Sequence, residues 1–352
     1  MITKILALFV CLLLTAATVS AAGDDVPAWL TKAAGAPVPT YDKDVPAVVL
    51  RDEQTVTVSD DGKITTSTAF AIRILTREGR VYAEASELYL TKAGKVKEMR
   101  AWLIRSNGFV KKYGNDQTVD HISDPNDVYD EYRVRLIDAS DDADAGTVFG
   151  YESTSEERPL FGQDIWRFQR RLPVLISRYS LALPNGWRAS SVTFNHFKIE
   201  PRVTGSTYTW ELSELPPIKP EPASPPTSSL APFVAVSYFP ADSGPSAATG
   251  ASFESWQQVS RWASALHDAV ANPEETVTAK ARALTTDTTG ELEQIRAIAR
   301  FVQNLQYISI DIGVGKGNGY RPHPPAQVLA KLYGDCKDKA NLMRAMLKAI
   351  NI

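Results

Sequence analysis

The sequence predicts a multidomain protein: an all-β, sandwich-like N-terminal domain, followed by an α-rich region. Three observations carry this. Short runs of period-two hydrophobicity, separated by turn residues, fill the chain from about Val45 to Leu215. Proline then crowds residues 216–250. From Ser252 onward the apolar spacing becomes helical. A chain of 352 residues has length for about two domains, each burying its own core.

Residues 1–21 read as a secretory signal. Lys4 supplies a positive start, Ile5 to Leu14 is an unbroken apolar run, and Val19-Ser20-Ala21 fits a small-x-small cleavage site. Cleavage after Ala21 directs the mature chain to the periplasm or outside the cell. The apolar run is shorter than the roughly 20 residues of a membrane span, and no second run is long enough. No stable span is expected after cleavage. Losing Lys4 moves the formal net charge from -3 to -4, which gives no electrostatic footprint for nucleic acid.

The β domain is assigned to residues 45–215. Phe70, Ile72 and Ile74 alternate with their neighbours, and Val128–Ile137, Val148–Ser153, Val174–Leu183 and Ser206–Leu212 read as further strands. Asp61-Gly62, Glu78-Gly79, Asn107-Gly108 and Asn185-Gly186 read as turns between them. This pattern predicts an antiparallel sandwich or barrel-like domain. Trp102, Trp166, Trp187 and Trp210 are expected in its core. The acidic stretch Asp138 to Asp144 misses the spacing of a calcium loop and reads as a solvated loop.

Residues 216–250 form a proline-rich linker, with Phe233 to Phe239 as a segment able to dock as an extended strand. In 252–352, Trp256, Val259, Ala263, Leu266 and Val270 share one helical face. Val277, Ala281 and Leu284 mark a shorter helix, and Leu292, Ile295, Ala299 and Val302 a longer one. Pro325 to Leu332 suits a short helix ended by Gly334. The last helix runs from Cys336 towards Ile350, with Ala340, Met343, Leu347 and Ile350 facing inward. Trp256 and Tyr307 read as core aromatics.

Cys336 is the candidate catalytic residue. Only two cysteines occur, and Cys11 falls in the signal, so the mature chain has one thiol and no internal disulfide. Asp335 suits an N-cap, with Asp338 near the capping-box position three residues on. Cys336 then sits in the first turn, where free backbone N–H groups favour a thiolate and can hold an oxyanion. Lys337 and Lys339 add positive charge nearby. One mature cysteine and four scattered histidines (His121, His196, His267, His323) show no metal-ligand spacing, and no cofactor is implied. Gly313 to Gly319 fails the phosphate-loop spacing and reads as a loop beside the cleft. His323, between Pro322 and Pro324, reads as an extended surface turn, with a structural role ranked above that of a substituted base.

Tyr307, the Gly313–Gly319 stretch, Arg321-Pro322, the short helix and Gly334-Asp335-Cys336-Lys337-Asp338-Lys339-Ala340 resemble the first half of a transglutaminase-like, papain-like cysteine domain, which implies that the helical region is the α-rich first half of an α+β domain. The upstream β region resembles the all-β domain of unknown function that precedes such domains in exported bacterial proteins. The resemblance implies that Cys336 attacks a carboxamide or peptide carbonyl to form a thioester, activated by a His that an Asp orients. In the family these follow the cysteine on downstream strands. The four histidines here all precede Cys336, so the chain reads as a truncated copy or fragment with an incomplete half-site. The expected function is acyl transfer on protein or peptide substrates. The alternative is a non-catalytic exported binding or scaffold protein that engages an envelope partner.

Overall fold

The computed structural model describes residues 26–241, 253 and 255–352. The signal segment, its cleavage site and Cys11 lie outside the described residues.

The described chain opens with α1 (Ala28–Ala34) and then a series of strands: β1 (Ala47–Val58), β2 (Ile64–Ile74), β3 (Glu84–Leu90), β4 (Gly94–Ile104) and β5 (Val110–Tyr113). Next come β6 (Val119–Ile122), β7 (Tyr129–Asp130), β8 (Tyr132–Asp138), β9 (Val148–Glu157) and β10 (Gln163–Arg167). The series continues with β11 (Val174–Ala182), β12 (Trp187–Phe194), β13 (Arg202–Thr204), β14 (Thr207–Leu215) and β15 (Phe233–Pro240). Eight strands form the main sheet in the order β13-β14-β11-β1-β2-β9-β4-β5. Two three-stranded sheets, β3-β8-β6 and β10-β15-β12, accompany it.

Both small sheets cover one face of the large sheet. Ala47, Val49, Ile72 and Met99 pack with Ala85 of β3 and Ile137 of β8. Val56, Val58, Tyr179 and Trp210 pack with Trp166 of β10 and Val234 and Val236 of β15. One strand serves both clusters because a bulge between Val49 and Arg51 shifts the side-chain parity of β1. Leu30 of α1 joins Val48, Leu50, Ala71 and Trp102 in a separate cluster, which the same parity places on the opposite face. The all-β, layered expectation holds, with one departure: β1 and β11 at the centre run parallel.

The dockable segment of the proline-rich stretch is β15, the middle strand of its sheet, paired with both β10 and β12. Glu78-Gly79 is not a hairpin turn but lies inside a 3-10 helix, Arg77–Tyr82. The strand expected over Val128–Ile137 divides into β7 and β8, which belong to different sheets. In the acidic stretch, Asp142 is not simply solvated: it accepts from the Tyr113 hydroxyl at 2.7 Å and pairs with Lys111.

The helical region contains α2 (Trp256–Asp268), α3 (Glu275–Thr285) and α4 (Glu291–Gln303). The short strands β16 (Gln306–Tyr307) and β17 (Ile310–Asp311) follow, then α5 (Pro325–Lys331), β18 (Tyr333–Gly334) and α6 (Cys336–Lys348). Val277, Ala281, Ile298, Val302, Val328, Leu342, Ala345 and Met346 form its core. Burial of each such larger side chain is worth about 1.5–3 kcal/mol.

Three helical faces differ from the apolar stripes expected. Trp256 is 84% exposed, and Trp262 packs instead against Phe161 of the β region and Tyr320. On α4, Leu292 is exposed and Ile298 is buried. On α6 the buried set is Asp338, Asn341, Leu342, Ala345 and Met346, while Ala340 is exposed. Polar residues take part of the inward face of α6, so its apolar stripe does not mark the centre of that face. Tyr307 is also exposed, because its short strand lies at the surface.

Candidate active site

The chain reaches Cys336 through a break between two short elements. Leu332, in the left-handed region at φ 57°, ends α5, so the helix stops there and not at Gly334. Tyr333 and Gly334 then pair in parallel with Gln306 and Tyr307. Gly334 suits this crossing because a Cβ there would lie 2.7 Å from the Asp338 Cβ. Asp335 is the N-cap of α6, and its carboxylate accepts from the Asp338 N–H at 3.0 Å. Cys336 is therefore the first residue of the helix, and it is exposed.

Only half of the expected capping box forms. The Asp338 side chain does not return to the Asp335 backbone. It turns to the segment before α5, where it accepts from the His323 N–H at 2.7 Å and meets the His323 Nδ1 at 3.0 Å. Asp338 is 1% exposed, so its carboxylate is committed to this turn. Asn341, one turn further along α6, donates to the carbonyls of Val270 and His323 at 3.2 and 3.4 Å. His323 has the structural role expected of it, through a partner that its own neighbourhood in sequence does not reveal.

The two lysines are spent differently from the expectation. Lys337 pairs with Asp335 and also reaches the Ile310 carbonyl. Lys339 donates to the carbonyls of Gln303 and Leu305 at 3.1 and 2.9 Å. Both ammonium groups tie α6 to the preceding segment. The Asp338 N–H goes to the cap and the Lys339 N–H to the Asp335 carbonyl, while those of Cys336 and Lys337 have no acceptor among the described residues. Two such donors beside a sulfur nucleophile can bind the oxyanion formed when a carbonyl is attacked.

The β region contributes to this neighbourhood. Strand β7 pairs in parallel with β17, and the Glu131 N–H donates to the Asp311 carbonyl at 3.1 Å. The Glu131 carboxylate accepts from the Gly313 N–H at 2.8 Å and pairs with Lys92. Burial opposes its ionisation, but these two partners hold it below the usual glutamate range. The Gly313–Gly319 stretch therefore packs against the β region in two 3-10 turns, Val314–Lys316 and Asn318–Tyr320. Gly315 lies against the β3–β4 turn, where a Cβ would fall 2.2 Å from that of Ala93. Tyr129 of β7 stacks on Tyr333 at 6.5 Å, and their hydroxyls are 3.4 Å apart.

No group of three or more His, Cys, Asp or Glu side chains among the described residues has the arrangement of a metal site. No helix among them is long and apolar enough to cross a membrane.

Comparison with known proteins agrees with this two-part organisation. Residues 60–219 match the domain of unknown function DUF3857, and residues 278–352 match the transglutaminase-like superfamily. The chain thus carries a DUF3857 domain followed by a transglutaminase-like core domain. A solved structure from Parabacteroides distasonis, described as a "putative protease", has the same architecture at 18% identity and a TM-score of 0.66. The alignment covers 86% of this chain and 59% of that one, so this chain spans under two thirds of its length. Yeast LTA4 hydrolase aligns at 10% identity and a TM-score of 0.27, covering 60% of this chain and 33% of its own. A likeness that low carries no argument. No curated protein matches the chain.

Proposed function

We propose that Cys336 is the nucleophile of a cysteine-dependent acyl transfer, of transglutaminase or protease type, acting on protein or peptide substrates. The observation that carries this reading is the exposed thiol on the first residue of α6, beside the unbonded N–H groups of Cys336 and Lys337. The thiolate attacks the carbonyl carbon of a carboxamide or peptide bond. The tetrahedral oxyanion collapses to a thioester on Sγ, and the C–N bond breaks to release ammonia or an amine. An imidazole takes the thiol proton and returns it to the leaving nitrogen. Full turnover requires that imidazole and a carboxylate to orient it. An Asp carboxylate on Nδ1, as Asp338 provides for His323, is the arrangement that orients a catalytic imidazole, but the His323 ring makes no hydrogen bond to Cys336 among the described residues, and it is not assigned to the task. The Lys4-to-Ala21 pattern supports the periplasm or cell exterior as the place of action.

The test uses the protein purified from its native cells, incubated with a glutamine-containing peptide and hydroxylamine. Hydroxamate formation, or peptide cleavage, that disappears in Cys336→Ser is the expected result. A protein that does neither, while its Cys336 remains open to iodoacetamide, overturns the reading in favour of a scaffold.

A further inference from the structure

A cleft of about 120 Å³ opens beside the first turn of α6, where Asp338 forms part of its wall; Cys336 lies two residues before Asp338 and is not itself on the lining. Its wall includes Tyr129 from the β region, Ile310 of β17, Gln327 and Lys331 of α5, Tyr333 and His323. It is therefore a composite site, built from both matched domains.

The charges around it point one way. Lys331 is exposed, lies 5.5 Å from the centre of the Tyr333 ring, hydrogen-bonds to the Tyr333 side chain, and makes no ion pair among the described residues. The one carboxylate on the lining is Asp338, whose two oxygens are committed to the backbone N–H and ring Nδ1 of His323. That contact leaves the His323 Nε2 edge as the part of the ring free to meet a ligand. The remaining walls are the Tyr129 and Tyr333 rings and the side chains of Ile310 and Val328. An aliphatic stem fits such walls, and an acidic end group answers the one unpaired cation.

We propose that this cleft is the side-chain subsite for the acyl donor, and that it selects an acidic side chain of glutamate type. Lys331 binds the carboxylate and Tyr129 supplies the wall that the β region contributes. The proposal rests on Cys336 being the nucleophile, and it adds a substrate class and a role for the DUF3857 domain. Tyr129 and Lys331 act here on specificity, not on the thiol itself.

The experiment is affinity labelling of Cys336. Peptidyl acyloxymethyl ketones that differ in one side chain (Glu, Gln, Ala or Lys) are compared by intact mass, each rate divided by that for iodoacetamide. The Glu probe should exceed the Lys probe by about fivefold, the worth of one partly exposed ion pair. Lys331→Glu should reverse the order, and Tyr129→Ala should weaken the discrimination. Equal rates for the four probes, or a Glu preference that survives Lys331→Glu, overturn the subsite. A second measurement is independent of the thiol: binding of N-acetyl-glutamate amide to Cys336→Ser, followed by the NMR signals of His323 and Tyr333. Binding there with an inert Cys336 overturns the acyl-transfer reading and keeps the subsite. A reactive Cys336 with no binding and no preference overturns the subsite alone.

Discussion

Asp52, Glu87 and Asp164 lie in the β region, and burial raises the pKa of all three. Glu87 and Asp164 take hydrogen bonds from the neutral hydroxyls of Ser153 and Tyr179. Asp335 and Asp338, at the start of α6, are the more fully buried and have different partners: Lys337 for one, the His323 backbone and ring for the other. A carboxylate whose desolvation is not offset by a counter-charge costs stability when ionised. One that joins two distant chain segments defines geometry. The difference teaches that buried polarity in this molecule is not of one kind. At α6 it positions the first residue of the helix, which is Cys336.

The largest effect should come from breaking the α6 pair. Asp338→Ala leaves the His323 N–H without its acceptor and removes a charged hydrogen bond, and should cost about 2–4 kcal/mol in urea unfolding. A loss below about 1 kcal/mol would remove Asp338 from its place in the comparison.

Asp52 tests the other side. Burial raises it to about 7, with the Arg170 charge opposing and Glu53 adding to the rise. Between its unfolded value of about 4 and this folded value, the native state keeps a proton that the unfolded chain has lost. This contribution is therefore complete below about pH 4, falls as pH rises through the window, and levels off above about 7. Asp52→Asn should flatten that part of the profile and stabilise the protein by about 1–2 kcal/mol at about pH 8. Thermal melts across the window, read as mutant minus wild type, check the sign.

Asp335→Ala should cost about 1–2 kcal/mol, the upper part of the range for a lost N-cap, because Lys337 loses its partner too. The same variant should slow any reaction at Cys336, since the helix start is no longer pinned. Cys336→Ser should have the smallest effect on stability, within about 0.5 kcal/mol, because the residue is exposed. If this substitution unfolded the protein, Cys336 would be a packing residue and the contrast between fixed neighbours and a free thiol would fail.

The extent to which the sequence was legible follows the range of the interactions. The Asp335 cap and the place of Cys336 on the first turn are local, set within four residues, and the sequence shows them. The β character was legible from alternation and turn residues, which are local, but the pairing was not, because most partners are distant in sequence, as β1 with β11 and β2 with β9. The committed carboxylate of Asp338 was not legible: its partner lies 15 residues away across a helix and a turn. Tyr129 and Tyr333 are 204 residues apart, so the share of the β region in the cleft had no local signal. The inward face of α6 was legible in part: Met343, Leu347 and Ile350 do pack against the helical core, but periodicity treats buried positions as apolar, and Asp338 and Asn341 are neither apolar nor exposed. Gly313 to Gly319 carried a usable clue. A run of glycines marks close backbone approach as readily as mobility, and at Gly315 the reason is Ala93.

The most direct measurement is acyl transfer to the thiol itself. The protein and its Cys336→Ser variant are mixed with a peptide thioester at neutral pH, and the intact mass is followed against free N-acetylcysteine under the same conditions. The account predicts a single acyl adduct on Cys336, formed at least about tenfold faster than on the free thiol and absent from the variant. Acylation no faster than that of N-acetylcysteine would contradict it, leaving Cys336 an exposed surface cysteine at the start of an ordinary helix.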